Sequence, residues 1–248
     1  LNLSLACWGY DRTEALLSQT VRPDGIDLNF QVLSVEETFF RMLRNREFDA
    51  AELSMSSYCV TLGRDNPDFI AIPVFPSRFF RHSCIFVSAK SGIEKPSDLV
   101  GKRIGVPEYQ MTAPVWIRGI LQDEYGIDPA SVTYVTGGEE EPGREEKLKL
   151  NLPDKFKVEP IGPNQTLTRM LADGEIDALH TRVLHRPSIR NRTMCGACSR
   201  TSSRSRKPIS ARRISSRSCT SLPFAATFTR RTAGSHRRST RRSSRRSS

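Results

Sequence analysis

Residues 72–88, IPVFPSRFFRHSCIFVS, set two arginines and a histidine between two apolar runs. Apolar runs of this length become buried strands, so Arg78, Arg81 and His82 fall at the joint between two of them. Arginine matches a carboxylate with two parallel N–H bonds. A histidine near its ordinary pKa gives or takes a proton at neutral pH. A solvated loop uses the same residue types, so the triplet gains meaning only if other groups converge with it.

Three further stretches have the same character. ELSMSSY ends a strand at Ser54 and opens a helix with Ser56, Ser57 and Tyr58. DLVGKRIGVPEYQMT sets Gly101 and Gly105 around a strand that leads into Glu108, Tyr109, Gln110 and Thr112. Helix starts carry unpaired N–H groups and a positive dipole end, which suit an anion; simple capping by Ser is the plainer alternative. His180 follows the strand IDAL, and Trp8 and Tyr10 close the first strand. Each position is a strand end or helix start, where open α/β sheets bind ligands. No P-loop, GxGxxG or metal cluster is present, so no cofactor is expected. Cys195 and Cys198 have the spacing of a zinc or redox pair but lack a partner pair. No metal is therefore expected. His185 and His236 are given no role.

The elements that must position these groups alternate. Strands are expected at the N-terminus and over GIDLNFQVLS, DAAELSM, the two runs flanking Arg78 to His82, GKRIGV, SVTYVTGG, KVEPI and IDALHT. Helices are expected over RTEALLSQ, SVEETFFRMLRNREFD, SSYCVTLGR, PEYQMTAPVWIRGILQDEYGI and TLTRMLADGE. Ser34 and Glu37 have the capping-box spacing, and EEEPGREEKLKLNLPD reads as a charged connector. This alternation predicts an α/β fold with largely parallel sheets.

Charge divides the chain. Residues 1–177 hold 19 Lys and Arg against 27 Asp and Glu, a net −8, whereas residues 178–248 hold 19 basic residues and no acid. The overall +11 therefore describes the end of the chain, and a nucleic-acid role would rest on that segment alone. From residue 183 onward, Arg, Ser and Thr dominate and periodicity disappears, apart from a brief SLPFAATF. A segment of this composition is expected to be disordered or to be the product of a reading-frame slip. In a shifted frame, codons for TMCGACSRTS can read HVRRLFED, and those for SCTSLPFAATFTRRT can read MHVVAIRRDVY. No run of about 18 apolar residues exists, so no transmembrane helix is expected. The N-terminus reads as a strand rather than a signal peptide. Cys7, Cys59 and Cys84 are widely spaced in apolar surroundings, as reduced thiols of a cytoplasmic protein are.

SVEETFFRMLRNREFDAAELSMSSY, IPVFPSRFFRHSCIFV, DLVGKRIGVPEYQMTAPVWIRGILQDEYGI and GEIDALHT resemble the 4,5-dihydroxyphthalate decarboxylase family, and the likeness runs from residue 1 to about 182. That family is similar to the type II periplasmic solute-binding proteins. The resemblance implies two α/β lobes, residues 1–80 and 85–182, with a cleft between them and the first lobe incomplete. Residues 183–248 depart from it. It also implies loss of carbon dioxide from a dihydroxylated aromatic dicarboxylate, giving protocatechuate in phthalate degradation. His82 or His180 would supply the proton, with Glu108 as the alternative. Arg78 and Arg81 would anchor a carboxylate, and Ser56, Ser57, Tyr58, Tyr109, Gln110, Thr112, Trp8 and Tyr10 would line the substrate. The rival is a transporter's solute-binding protein that holds a small organic acid without chemistry and works in the periplasm. Neither reading calls for a nucleic-acid or membrane partner.

Overall fold

The computed structural model describes residues 1–182 and the backbone of two later strands. Alternation of apolar and polar residues makes β1 (Asn2–Cys7), β2 (Asp27–Val32) and β3 (Ala50–Ser54), which pair in parallel, Leu5 opposite both Phe30 and Ala50. β4 (Phe69–Ala71) and β5 (Ser77–Phe79) join the same sheet. The second sheet is built from β6 (Ile85–Val87), β7 (Arg103–Val106), β8 (Thr133–Thr136), β9 (Lys157–Pro160), β10 (Ala178–His180) and β11 (Arg192–Thr193), in the order β11-β6-β10-β7-β8-β9. β7 to β10 pair in parallel, and β6 runs antiparallel to β10. The chain leaves the first sheet after Phe79 and enters the second at Ile85. The molecule is thus a two-lobed α/β fold.

β12 (Leu222–Arg230) lies antiparallel between β3 and β4 and also pairs β5. The segment expected to be without packing therefore contributes a strand, and that strand spans most of its one apolar stretch. Cys195, Cys198, His185 and His236 lie outside the described residues.

Among the described residues, five α-helices cover the sheets: α1 (Glu14–Leu17), α2 (Val35–Phe40), α3 (Met55–Leu62), α4 (Thr112–Tyr125) and α5 (Leu167–Asp173). Half of the capping box forms on α2. Ser34 Oγ accepts from Glu37 N at 3.3 Å, but the Glu37 carboxylate turns to Arg41. The helix expected through Asp49 ends early. A π turn covers Arg41–Asn45, and Arg46 stops it in the left-handed region at φ 51°. The chain then turns Phe48 into the core.

α4 begins at Thr112 rather than at Pro107. Pro114 explains the difference. A helix running from Pro107 would place that ring in its interior, without an N–H and against a carbonyl four residues back. Starting at Thr112 leaves Pro114 in the first turn, where no bond is lost. Gly105 lies inside β7, and a Cβ there would come within 2.7 Å of Ile176 Cδ1, 3.1 Å of Leu167 Cδ2 of α5 and 3.2 Å of Leu179 Cδ1 of β10, so glycine makes room for these side chains to pack closely.

Alternate residues of the second sheet face opposite cores. Ile85, Ile104, Tyr134 and Ala178 pack with Ile117 and Leu121 of α4. Phe86, Val135 and Leu179 pack with Leu167 and Leu171 of α5. In the first lobe, Ala6, Phe39, Met42, Ala51, Leu53 and Phe69 form a core that also takes in Ala113 from the first turn of α4. α4 therefore spans both lobes. Its amino end is held against the first, and its body is buried in the second.

Candidate active site between the two lobes

The first turns of α3 and α4 meet because Ala113 docks on the first lobe. Four hydroxyl-bearing or amide side chains from the sequence reading converge there. Ser54 caps α3, accepting from Ser57 N at 3.4 Å. Its Oγ lies 2.8 Å from Thr112 Oγ1 and 3.1 Å from Ser56 Oγ. Ser56 N donates to Thr112 Oγ1 at 3.2 Å. Ser57 Oγ donates to Gln110 Oε1 at 2.9 Å, and Gln110 Nε2 donates to Glu108 Oε2 at 3.0 Å. Two positive helix ends thus face one buried hydroxyl cluster.

Glu108 carries this network into a set of charges. It is buried and accepts from Arg144 Nε at 2.9 Å, from Lys147 N at 3.2 Å, and from Arg144 Nη2 and Lys147 Nζ. The same two cations reach across to the first lobe. Arg144 Nη2 lies 2.9 Å and Lys147 Nζ 2.7 Å from Glu36 Oε2. Burial pushes the Glu36 carboxyl up, but the charges of Lys147 and Arg144 outweigh it and hold the group below the usual range. A cleft of about 690 Å³ opens beside Glu36, Glu108, Arg144 and Lys147.

A second buried carboxylate stands in the middle of β3. Glu52 has no exposure. Tyr10 Oη donates to its Oε1 at 2.7 Å, and Trp8 N and Cys7 Sγ donate to Oε2 at 3.3 and 3.5 Å. Burial pushes the Glu52 carboxyl above its ordinary range, against the lowering effect of those donors and of the Arg182 charge. Burial also raises the Tyr10 phenol and the Cys7 thiol, and Glu52 adds to both shifts. Glu52 and Ser54 lie two residues apart on one strand, so they face the same side of the sheet. Leu53 faces the lobe core.

The remaining sequence candidates are placed elsewhere. Arg78 is exposed within β5. Arg81 is buried, donates to Cys84 Sγ at 3.8 Å and lies over the Phe79 ring, and burial lowers its pKa. His82 stacks on Phe80 at 4.9 Å, and burial lowers its pKa although the Glu124 charge opposes this. Glu124 belongs to the last turn of α4, roughly 18 Å along the helix from Thr112 at 1.5 Å per residue. His82 therefore sits near the wrong end of α4 to join the hydroxyl cluster. His180 is fully buried. Burial, with help from Arg118, brings its pKa down to about 3, and neither ring nitrogen has a partner among the described residues. Tyr109 is core: Arg118 lies 3.9 Å over its ring and Tyr134 meets its edge. Tyr58 is half-buried against the first-lobe core, and Trp8 is exposed beside Glu52.

Sequence reasoning missed Glu36, Glu52, Arg144 and Lys147. Glu52 had a signal, being the one charged residue within AAELSM. Arg144 and Lys147 stand in a run of glutamates, where alternating sign marks pairing. Glu36 looks like any acidic residue in a first helical turn.

Two lobes with polar groups gathered at the carboxyl ends of their parallel strands define a periplasmic-binding-protein-like molecule. Residues 9–195 match the family described as "ABC transporter, phosphonate, periplasmic substrate-binding protein". Over 179 residues the chain is 47% identical to a Comamonas testosteroni protein named 4,5-dihydroxyphthalate decarboxylase, covering 72% of this chain and 54% of that one. It is 48% identical to a Pseudomonas putida protein of the same name, covering 72% and 69%. The chain belongs to the 4,5-dihydroxyphthalate decarboxylase family, of periplasmic-binding-protein-like fold. It spans about half the length of the Comamonas relative. Among solved structures, the aliphatic sulphonate binding protein SsuA from Escherichia coli aligns at 12% identity and TM-score 0.44, covering 72% of this chain and 53% of that one.

Proposed function

We propose that the chain is a non-oxidative decarboxylase of a dihydroxylated aromatic dicarboxylate, taking 4,5-dihydroxyphthalate to protocatechuate. The observation that carries this reading is the 47–48% identity to two proteins named for that activity. The chemistry of the reaction sets what the site must provide. Each carboxylate of the substrate lies para to a hydroxyl. A proton delivered to the ring carbon bearing one carboxylate makes a cation that the para hydroxyl stabilises. The carbon–carboxylate bond then breaks, its electron pair restores aromaticity, and carbon dioxide leaves.

We assign the proton to Glu52, in place of His82 or His180. Burial raises the Glu52 carboxyl and so favours the protonated form that a general acid needs. His180 is uncharged at neutral pH, and His82 lies at the far end of α4. Ser56, Ser57, Gln110 and Thr112 hold the substrate hydroxyls. Arg144 and Lys147 anchor the spectator carboxylate, the role expected of Arg78 and Arg81. No step calls for a cofactor. The reading places the protein in the cytoplasm, supported by the free thiols of Cys7, Cys59 and Cys84.

The test is incubation with 4,5-dihydroxyphthalate, following carbon dioxide and protocatechuate. Phthalate, which has no hydroxyl to stabilise the ring cation, is expected to bind without reacting. Binding of both compounds with no carbon dioxide from either would replace the decarboxylase with a solute-binding protein.

A further inference from the structure

We propose that the Glu36 carboxylate is a built-in competitor, occupying the position on Arg144 and Lys147 that a ligand's carboxylate takes in turn. The inference rests on the reading of the ligand as an aromatic dicarboxylate. Its basis is an asymmetry between the two acids that share these cations.

Glu108 comes from the same lobe as Arg144 and Lys147. Its side chain is 1% exposed, and both of its oxygens are engaged by Gln110, Arg144 and Lys147. Glu36 comes from the other lobe and is 41% exposed. It meets both cations through one oxygen, Oε2. Of the two carboxylates that pair with both cations, one is enclosed and one is displaceable. An exchange of Glu36 for a ligand carboxylate replaces one negative group with another and leaves the net charge of this acid-lined cleft unchanged. Cleft access on the Glu36 side gives the incoming anion a route, since Glu36, Arg144 and Lys147 all line the open space.

A tethered competitor acts as a high local concentration of the rival group. Every ligand must displace it, which weakens all binding and most penalises anions with a single weak contact. Displacement also breaks the charge link from α2 to Arg144 and Lys147, so ligand entry and the freedom of the two lobes are coupled.

Phthalate is the probe, because it offers carboxylates without hydroxyls and so reads the anchor alone. Calorimetric titration of the full chain is expected to give about tenfold tighter phthalate binding for Glu36→Gln than for wild type, the order expected from removing a tethered competitor. Glu47→Gln is the control. Glu47 accepts from Arg41 Nε at 2.8 Å and does not line the cleft, so its removal should leave affinity unchanged. Unaltered or weaker binding in Glu36→Gln, an equal gain in Glu47→Gln, or no phthalate binding in any form would overturn the proposal. Carbon dioxide release from 4,5-dihydroxyphthalate by the same preparations separates the two readings. Tighter phthalate binding without carbon dioxide sinks the decarboxylase and keeps the competitor. Carbon dioxide with unchanged Glu36→Gln affinity does the reverse.

Discussion

Glu52 and Glu108 are both buried, Glu52 within β3 of the first lobe and Glu108 just after β7 of the second. Their partners differ in kind. Two cations, an amide side chain and a backbone N–H surround Glu108. Glu52 touches a phenol, a thiol and one backbone N–H, and its oxygens contact no cation among the described residues. A buried charge is tolerable where opposite charge compensates it; without that, the neutral form is favoured. One residue type is thus an ion-pair hub in the second lobe and, in the function proposed above, the acid of the first. The neighbours decide which.

The largest effect should come from removing the acid proposed in the first lobe. Glu52→Gln is close to isosteric with the protonated carboxyl, so the fold should persist. Loss of a general acid is expected to lower turnover of 4,5-dihydroxyphthalate by about 10²- to 10⁴-fold, measured as initial rates of carbon dioxide release. A rate within a factor of two of wild type would erase the functional half of the comparison. Glu108→Gln should act on stability instead. Removing one partner of a buried charge network strands the others, and a loss of roughly 3 kcal/mol is expected, read from denaturant midpoints. Glu36 remains to hold part of the charge of Arg144 and Lys147.

The pH dependence of stability gives a finer contrast. The folded pKa of Glu52 lies above its ordinary value of 4.5. Its contribution is therefore fully present below pH 4.5 and is lost as pH rises through the folded value. His180 works in the opposite sense. Its folded pKa of about 3 lies below the ordinary 6.5, so its contribution is present above pH 6.5 and is lost as pH falls toward 3. Above pH 4.5 and below pH 6.5 the two trends oppose each other. In Glu52→Gln the alkaline limb should flatten while the acid limb stays, as followed by thermal unfolding across pH. Persistence of the alkaline limb would assign it to another group.

Much of this was legible in the residues. Alternation gave the order of strands and helices through His180, and hydroxyls after ELSM and GVPEYQ pointed to the two helix starts that do converge. Local rules reached that far because capping and amphipathic period are local. The start of α4 was readable too, had Pro114 been weighed against Pro107. Pairing across the lobes was not readable. That Arg144 meets Glu36, 108 positions away, depends on how two units dock, and no local pattern encodes it. The histidines misled for a related reason. Chemical aptitude belongs to the side chain, but burial took His180 out of the acid range, and the fold set His82 beside the other end of α4. The chain beyond residue 182 is a different case, since its composition carries no period to read. Sequencing the coding DNA tests the frame slip directly: a shifted frame should read close to HVRRLFED and then MHVVAIRRDVY.

The smallest expected effect is at Tyr10. Its phenol donates to Glu52 Oε1 at 2.7 Å, and that bond favours the ionised carboxylate. Tyr10→Phe removes the donor and little packing area. One hydrogen bond of this kind is worth about 1 kcal/mol net, so a small loss of stability is expected. The more telling change is in the pH–rate profile. Without the donor, burial acts on Glu52 less opposed, and its pKa should climb. If Glu52 is the acid, the rate of carbon dioxide release falls as pH rises through that pKa, so the alkaline limb should move to higher pH in Tyr10→Phe. A general loss of folded protein would lower the rate at every pH and leave the limb in place. A limb that stays fixed, or moves to lower pH, would separate the titrating group from Glu52. The contrast with Glu108 would then be a matter of stability alone.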